Sequence, residues 1–278
     1  MRPAGSHASR LAARLWNEVG DRVLVRRFHD FNLNVGLVGG AETWLLIDTR
    51  ASERQGRELA AEIRSITQAP LVVLDTHHHF DHTFGNAAFL PCDIWGQERC
   101  ALRLRESIGT TLVELSAAMP ELAGEFGETR IVSPNRTFRT KAELDLGGRR
   151  VALEHLGRGH TDNDVVAIVS DASVVFAGDL VEQGAPPAFE DSYPLDWPGT
   201  LDRLLEFVAG PIVPGHGDVV DRAFAEGQRA EIAAIGDLAR QLRSQGRSIE
   251  DGVARAPFGA AASRSALARA YAQLSGEI

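Results

Sequence analysis

The most constraining feature of this sequence is a run of side chains that can bind metal, Thr76-His77-His78-His79-Phe80-Asp81-His82. The run follows Leu71–Leu74, a short apolar segment that predicts a strand buried on both faces. In extended backbone His77 and His79 point to the same side, so both imidazoles can reach one ion. Asp81 and His82 lie further round the turn and can face a second ion.

Three more candidate ligands occur at the ends of apolar runs or in a loop between them. They are His160 in Gly159-His160-Thr161, Asp179 after the predicted strand Val174–Ala177, and His216 in Pro214-Gly215-His216-Gly217. Each has a neighbouring glycine, which lets backbone approach closely. A solitary histidine is usually structural, and a histidine cluster can be a solvated loop, but four such elements in one chain indicate a metal site. We expect His78 to point away and do not count it as a ligand.

In chain order these elements read HxHxDH, GHT, GD and GHG, and Ile47-Asp48-Thr49 precedes them. The order and the flanking residues resemble the motif signature of the metallo-β-lactamase superfamily over roughly residues 20–220. The resemblance implies an α/β fold, a four-layer αβ/βα sandwich of two mixed β-sheets with helices on the outer faces. The metals would lie at one edge of the two sheets.

Carried over residue by residue, the resemblance implies two divalent metal ions held by imidazole and carboxylate groups. The set for the first ion is His77, His79 and His160. The set for the second ion is Asp81, His82 and His216. Asp179 would bridge the ions, and Asp48 would orient ligands through hydrogen bonds. Zinc suits these ligands best, with iron or manganese as alternatives.

The chemistry expected of such a site is hydrolysis. Two ions about 3.5–4 Å apart lower the pKa of a bridging water into the neutral range, and the hydroxide attacks a carbonyl or phosphoryl centre. Asp81 and Asp179 are the catalytic candidates, because Asp81 can also orient the hydroxide or move a proton. We expect cleavage of an ester, lactone, thioester or amide bond in a small molecule.

The identity of the residue at position 179 also helps to distinguish subclasses within the superfamily that the sequence resembles. True β-lactamases carry cysteine or serine at this position, and many have a lysine shortly after it that is missing here. A bridging aspartate is similar to glyoxalase-II-type thioesterases, lactonases and phosphodiesterases. Two alternative functions remain: a weak β-lactamase activity, and a mononuclear iron oxidoreductase similar to the sulfur dioxygenases, which keep the same ligands. A non-catalytic binding protein is disfavoured because all seven ligands are present.

A proline-rich stretch, residues 182–197, follows the bridging aspartate. Its aromatic residues Phe189, Tyr193 and Trp197 are candidates for lining a substrate pocket, and Tyr193 could donate a hydrogen bond to a developing oxyanion. The alternative is a rigid surface loop whose aromatic side chains cover the sheet edge, with Trp197 anchoring the following helix.

The composition excludes some partners. A formal charge of −9 and a pI near 5.5 disfavour nucleic-acid binding. No apolar run reaches membrane-spanning length, and the N-terminal residues contain no signal-peptide core. Cys92 and Cys100 form no CxxC pair, so we expect reduced thiols in a cytoplasmic protein. The sequence is compatible with either a monomer or a homo-oligomer.

Local patterns predict strands followed by helices in a single domain, residues 1–278, with a core of about 20–220 and a helical extension of about 221–278. The predicted strands are Val23–Phe28, Asn32–Val38, Thr43–Asp48, Leu71–Leu74, Phe138–Leu144, Arg149–Leu156, Val165–Val169 and Val174–Ala177. The predicted helices are Glu53–Thr67, Glu98–Ala118, one beginning near Asp196, Asp221–Gly246 and Ser248–Gln273.

Overall fold

The computed structural model describes residues 15–107 and 110–278, and these fall into two compact units. The first unit runs to Leu153 and includes Val169–Ala172, and the second comprises Glu154–Ile168 and Ser173–Ile278. The assignment of residues 1–278 to one domain stays a prediction. Most of the N-terminal segment predicted to lack a signal-peptide core lies outside the described residues.

The described strands form two β-sheets with the orders β1-β2-β3-β4-β5-β6-β7 and β12-β11-β10-β9-β8. The first sheet contains Asn17–Gly20 (β1), Val23–Arg27 (β2), Asn34–Gly39 (β3), Trp44–Ile47 (β4), Leu71–Leu74 (β5), Ile94–Gln97 (β6) and Arg136–Phe138 (β7). The second contains Lys141–Asp145 (β8), Arg150–Glu154 (β9), Val166–Val169 (β10), Val174–Glu182 (β11) and Ile212–His216 (β12). The predicted α/β fold of two mixed sheets with helices is confirmed.

The described α-helices connect and follow these strands. They are Glu53–Ile66 (α1), Phe80–Thr83 (α2), Glu98–Ser107 (α3), Thr111–Ala118 (α4), Ala123–Glu128 (α5), Trp197–Leu205 (α6), Arg222–Ser244 (α7), Glu250–Val253 (α8) and Ala260–Ser275 (α9). Across residues 15–107 and 110–278, no helix has both the length and the apolar character that a membrane span requires.

Helix α1 begins where the sequence predicts. The Ser52 hydroxyl accepts a hydrogen bond from the Gln55 amide at 3.2 Å and so caps the helix. Leu59 and Ile63, four residues apart, turn to one face and are fully buried in the cluster that contains Leu46 and Val73. Burying one such aliphatic side chain contributes about 1.5–3 kcal/mol to folding. The helix is thereby fixed against the first sheet.

Three parallel strands position the candidate residues of the first unit. Strand β5 pairs in parallel with β4 and with β6, and Ile47 lies opposite Leu74. Carboxyl ends of neighbouring parallel strands reach the same sheet edge. Asp48 directly follows β4, and the histidine-rich loop follows β5, so both lie at this edge.

In the second unit, β11 pairs in parallel with β12, and Glu182 lies opposite His216. Helix α7 packs its buried face, including Ile232 and Ile235, into the unit. Gln228 of the same helix accepts a hydrogen bond from the Glu182 amide at 3.0 Å and donates one to the Leu180 carbonyl at 2.9 Å. These bonds fix the end of β11, where candidate ligands lie.

The structure corrects two helix predictions. A single helix over Glu98–Ala118 is wrong, because α3 ends at Ser107, α4 begins at Thr111, and Thr110 directly before α4 belongs to neither helix. A single helix over Ser248–Gln273 is also wrong, because Pro257 lacks the amide that a continuing helix needs and α9 begins only at Ala260.

Strand boundaries also differ. The predicted strand Phe138–Leu144 is divided between β7 and β8, which belong to different sheets. Strand β11 continues to Glu182, so Asp179 lies within it and not after it. Gly178 has a left-handed φ of 52°, and the pairing with β12 is irregular on both sides of it. Such a bulge re-aims the next side chain, which here is that of Asp179.

Candidate metal centre

The buried carboxylate of Asp48 organises the histidine-rich loop of the first unit. Its Oδ1 accepts from the Thr76 amide at 2.8 Å, and its Oδ2 accepts from the Thr76 hydroxyl at 2.9 Å. Nδ1 of His82 lies 2.7 Å from the same Oδ2. Because a carboxylate only accepts, Nδ1 of His82 carries the proton, and Nε2 holds the lone pair that a metal requires.

His77 and His79 converge within the same loop. Nε2 of His77 lies 3.0 Å from Nδ1 of His79. The Thr76 hydroxyl gives its one proton to Asp48, so it accepts from Nδ1 of His77 at 3.1 Å. Nε2 of His77 therefore holds its lone pair on the side of His79. The ring of His78 also contacts that of His79, with 4.8 Å between centroids.

Asp81 and His82 lie in the one-turn helix α2, and both are buried. Oδ2 of Asp81 is 3.7 Å from Nε2 of His82, so the carboxylate faces the nitrogen that holds the lone pair. The turn is held by Phe80, whose ring packs edge-on against Phe31 and Phe126 at centroid distances of 5.2 and 6.0 Å. Apolar packing on one side of the turn thus presents the ligand-type side chains on the other.

In the second unit, one carboxylate oxygen lies between two imidazoles. Oδ2 of Asp179 is 3.5 Å from Nε2 of His160 and 3.1 Å from Nε2 of His216. Asp179 and His160 are buried, and His216 is half-buried. Nitrogens from a loop and from the end of β12 therefore approach the same oxygen, which is the contact that a bridging carboxylate would make.

Gly215 is required by this arrangement. A Cβ at that position would lie 1.7 Å from Oδ1 of Asp179, far inside van der Waals contact. Any other residue would displace the carboxylate or the backbone before His216. The glycine in the GHG motif thus provides room for Asp179.

Residues that the sequence analysis did not single out hold His160 in place. Nδ1 of His160 lies 3.2 Å from the Ala188 carbonyl, and a carbonyl only accepts, so the proton is on Nδ1 and the lone pair is on Nε2. The carboxylate of Asp164 accepts from the Thr161 amide at 2.9 and 3.0 Å and fixes the next residue. The only sequence signal for Asp164 was its place three residues after Thr161, a spacing typical of a side-chain-capped turn.

The aromatic residues proposed for a substrate pocket are all buried. Trp197 is 0% exposed, donates from Nε1 to the Leu180 carbonyl at 3.2 Å, and meets the ring of His160 edge-on at 5.8 Å. Phe189 packs against Trp197 at 5.6 Å. The ring of Tyr193 has the guanidinium groups of Arg158 and Arg269 over it, at 4.4 and 5.5 Å. Contact of these side chains with substrate stays a prediction.

Asp75, directly before the histidine-rich loop, is another buried acid that the sequence analysis did not use. Burial raises the pKa of its carboxyl well above the usual range, and the nearby carboxylate of Asp48 acts in the same direction. A hydrogen bond from Nδ2 of Asn86 at 2.8 Å opposes this shift of the pKa. Asn86 also accepts from the Thr49 hydroxyl at 2.8 Å. The acid is therefore part of a buried network beneath the loop.

Each unit thus contains histidine and aspartate side chains of the kind that could hold a divalent metal. The residues brought together in the first unit are His77, His79, Asp81 and His82, with Asp48 behind His82. Those brought together in the second are His160, Asp179 and His216.

Comparison with known proteins gives a family match. Residues 30–216 match the family model described as the metallo-beta-lactamase superfamily. A linear primary-alkylsulfatase from Pseudomonas sp. is 26% identical over 221 residues, a match covering 66% of this chain and 41% of that protein. The acyl-coenzyme A thioesterase MBLAC2 of Homo sapiens is 26% identical over 211 residues, covering 66% and 72%. The chain thus spans less than half the length of the alkylsulfatase.

Solved structures show the same fold. The sec-alkylsulfatase Pisa1 from Pseudomonas sp. superposes with a TM-score of 0.76 at 15% identity, over 95% of this chain and 50% of that one. A metallo-beta-lactamase from Pontibacter korlensis superposes with a TM-score of 0.61 at 22% identity, over 78% and 98%.

Proposed function

The chain belongs to the metallo-beta-lactamase superfamily, and from this membership we propose that it is a dinuclear metal-dependent hydrolase. We propose that it cleaves an ester, lactone, thioester or amide bond in a small molecule. The observation that supports two ions is Oδ2 of Asp179, which lies within 3.5 Å of Nε2 of both His160 and His216.

The donor chemistry of the site fits zinc. Imidazole nitrogens and carboxylate oxygens are ordinary zinc ligands. We propose His77, His79 and His160 for one ion. We propose Asp81, His82 and His216 for the other. In support, both sets consist of side chains that could hold an ion, and Asp179 is the proposed bridge.

The hydrogen bonds around the ligands would prepare them before any ion binds. Asp48 and Thr76 hold the protons of His82 and His77 on Nδ1, and the Ala188 carbonyl does the same for His160. Each imidazole then offers Nε2 in the required tautomer without a proton having to leave. Such partners typically change metal affinity by about 10–100-fold.

Two bound ions would supply Lewis acidity and lower the pKa of a bound water toward neutrality. The residues of the chain would position the ions and the water and would transfer the proton. Asp81, a residue that is 8% exposed and lies beside His82, is proposed to orient the water and accept its proton. Asp179 is proposed to fix the spacing of the ions.

The relatives support the reaction class. MBLAC2 carries a thioesterase name and the Pseudomonas protein an alkylsulfatase name, so both names describe hydrolysis of an ester or thioester. We therefore place carboxylic esters and thioesters before β-lactams as substrates of this chain. The mononuclear iron oxidoreductase remains the competing account, since it uses the same ligand types.

The test is hydrolase profiling of the zinc-loaded protein against ester, thioester, lactone, phosphodiester, alkyl sulfate and β-lactam panels. We expect turnover of at least one ester or thioester that chelator removes and zinc restores. The Asp179→Ala variant is the matched inactive control. Absence of hydrolysis across the panels, together with sulfur oxidation by the iron-loaded protein, would overturn the proposal.

A further inference from the structure

The second unit contains a cavity of about 520 Å³ beside the end of β11. Its walls come from the segment after Glu182, from α7 and from the turn before α9; they include Pro186, Pro187, Phe224 and Phe258. Small-molecule sites typically measure about 300–1,000 Å³ and are mostly apolar. The cavity therefore has the size and lining of a ligand pocket.

The charge of the lining restricts the ligand. Glu182 and Glu231 are its acidic residues, and no arginine, lysine or histidine occurs among the described residues that line it. A ligand with a carboxylate or phosphate at this end would meet only like charge. The cavity thus favours an uncharged apolar group.

The wall of the cavity is joined to the candidate metal centre. Oε1 of Glu182 accepts from the Ala188 amide at 2.9 Å and lies 3.6 Å from Nδ1 of His160. The carbonyl of the same Ala188 accepts from Nδ1 of His160. The wall residue Glu182 therefore lies at the Nδ1 edge of the imidazole, whereas Nε2, on the opposite edge, faces Asp179.

We propose that this cavity binds the uncharged acyl chain of the substrate. The inference rests on the proposed function, because it assigns a place to one part of the ester or thioester. Because the wall residue Glu182 lies on the Nδ1 side of His160 and the proposed metal lies on the Nε2 side, we expect a short chain to end before the cavity. Only acyl chains long enough to extend past the imidazole ring would gain binding energy from contact with the apolar walls.

The chain-length dependence of hydrolysis tests this. We would measure kcat/KM of the zinc-loaded protein on para-nitrophenyl acetate, butyrate, hexanoate, octanoate and decanoate. We expect nearly equal values for the shortest esters, followed by a rise of about four-fold per methylene once the chain enters the cavity. Esters of matched length that end in a carboxylate should lose this rise.

A cavity-filling variant locates the effect. Gly227 lies in α7 and lines the cavity, and a Cβ there would meet no heavy atom within 4 Å. Gly227→Leu should lower kcat/KM for the decanoate by about ten-fold or more, equivalent to losing two methylenes, and leave the acetate unchanged. The control is Gly127→Leu, in helix α5, where a Cβ likewise meets nothing within 4 Å.

Binding of methyl nonyl ketone, which cannot be hydrolysed, gives a readout independent of turnover. Calorimetry should show binding to the zinc-loaded wild type and to Gly127→Leu, with loss of binding in Gly227→Leu. Acetate hydrolysis without a chain-length effect, or equal ketone binding by all three proteins, overturns the cavity assignment and leaves the proposed function standing. If no substrate of any panel is hydrolysed, the proposed function fails, and the ketone isotherms still decide whether the cavity binds an apolar chain.

Discussion

Nδ1 of His82 lies 2.7 Å from Oδ2 of Asp48, and both side chains are buried. The pair fixes the tautomer of one proposed ligand and ties the end of β4 to the loop after β5. Asp48 has a left-handed φ of 66°, a conformation that asparagine also tolerates. Asp48→Asn therefore removes the charge with little change of shape or backbone strain.

We expect Asp48→Asn to weaken zinc binding by about 10–100-fold while the far-UV circular dichroism spectrum is kept. Competition with a chromophoric chelator measures the affinity. Asp237→Asn is the matched control, since the Asp237 side chain is 81% exposed and belongs to helix α7. Equal zinc affinity in the Asp48 variant and the wild type would remove Asp48 from the support of the ligands.

Gly215→Ala tests whether the close contact between the backbone at Gly215 and the Asp179 carboxylate is needed for metal binding. The new Cβ would lie 1.7 Å from Oδ1 in the present geometry, so the carboxylate must move. We expect the number of zinc ions bound per chain to fall below two and hydrolysis to fall with it. Gly124→Ala, where the Cβ meets nothing, should behave as wild type. Full metal content in the Gly215 variant would show that Asp179 does not need its present position.

Trp197→Ala separates a structural role from a role in substrate binding. The side chain is fully buried and bonded to Leu180, so its removal should lower the free energy of unfolding by about 3–5 kcal/mol. Urea denaturation measures the change. Phe207→Ala, just after the same helix, is the control, because Phe207 is 40% exposed and its loss should cost far less. A raised KM with unchanged stability would instead assign Trp197 to the substrate.

The candidate ligands could be singled out from the sequence because each stands in or near a loop that follows an apolar run. The strand ends themselves were not all located, since β11 continues past Asp179 to Glu182. His77, Asp179 and His216 needed no knowledge of distant contacts to be singled out. The capping role of Ser52 was predictable for the same reason, since it depends on a hydrogen bond only three residues along the chain.

Features set by distant contacts were not predictable. Asp75 looks like an ordinary turn residue, and its role depends on a hydrogen bond from Asn86, eleven residues further along the chain. Trp197 is an aromatic residue in a proline-rich stretch, which predicted a place in a substrate pocket. Its burial instead depends on partners from β11 and the loop of His160. The division between β7 and β8 likewise depends on which sheet each segment joins.

The reactivity of Cys92 gives a prediction away from the proposed site. Burial, with help from Asp93 and Asp75, raises the pKa of the Cys92 thiol from 9.0 to about 11. A raised pKa lowers the thiolate fraction at every pH below it, so at pH 8 the native thiolate is about 100-fold scarcer than in unfolded chain. Iodoacetamide labelling followed by peptide mass spectrometry should be slow in native protein, accelerate as pH rises toward about 11, and be fast in urea. Rapid native labelling at pH 8 would contradict this.

The most direct test of the account is the number of metal ions bound by the wild type and by Asp179→Ala, measured by elemental analysis after zinc loading and dialysis. The account predicts two zinc ions per wild-type chain and reduced occupancy of both sites in the variant, because Asp179 is the proposed shared ligand. One iron ion per chain with no uptake of zinc, or two zinc ions retained without Asp179, would contradict it.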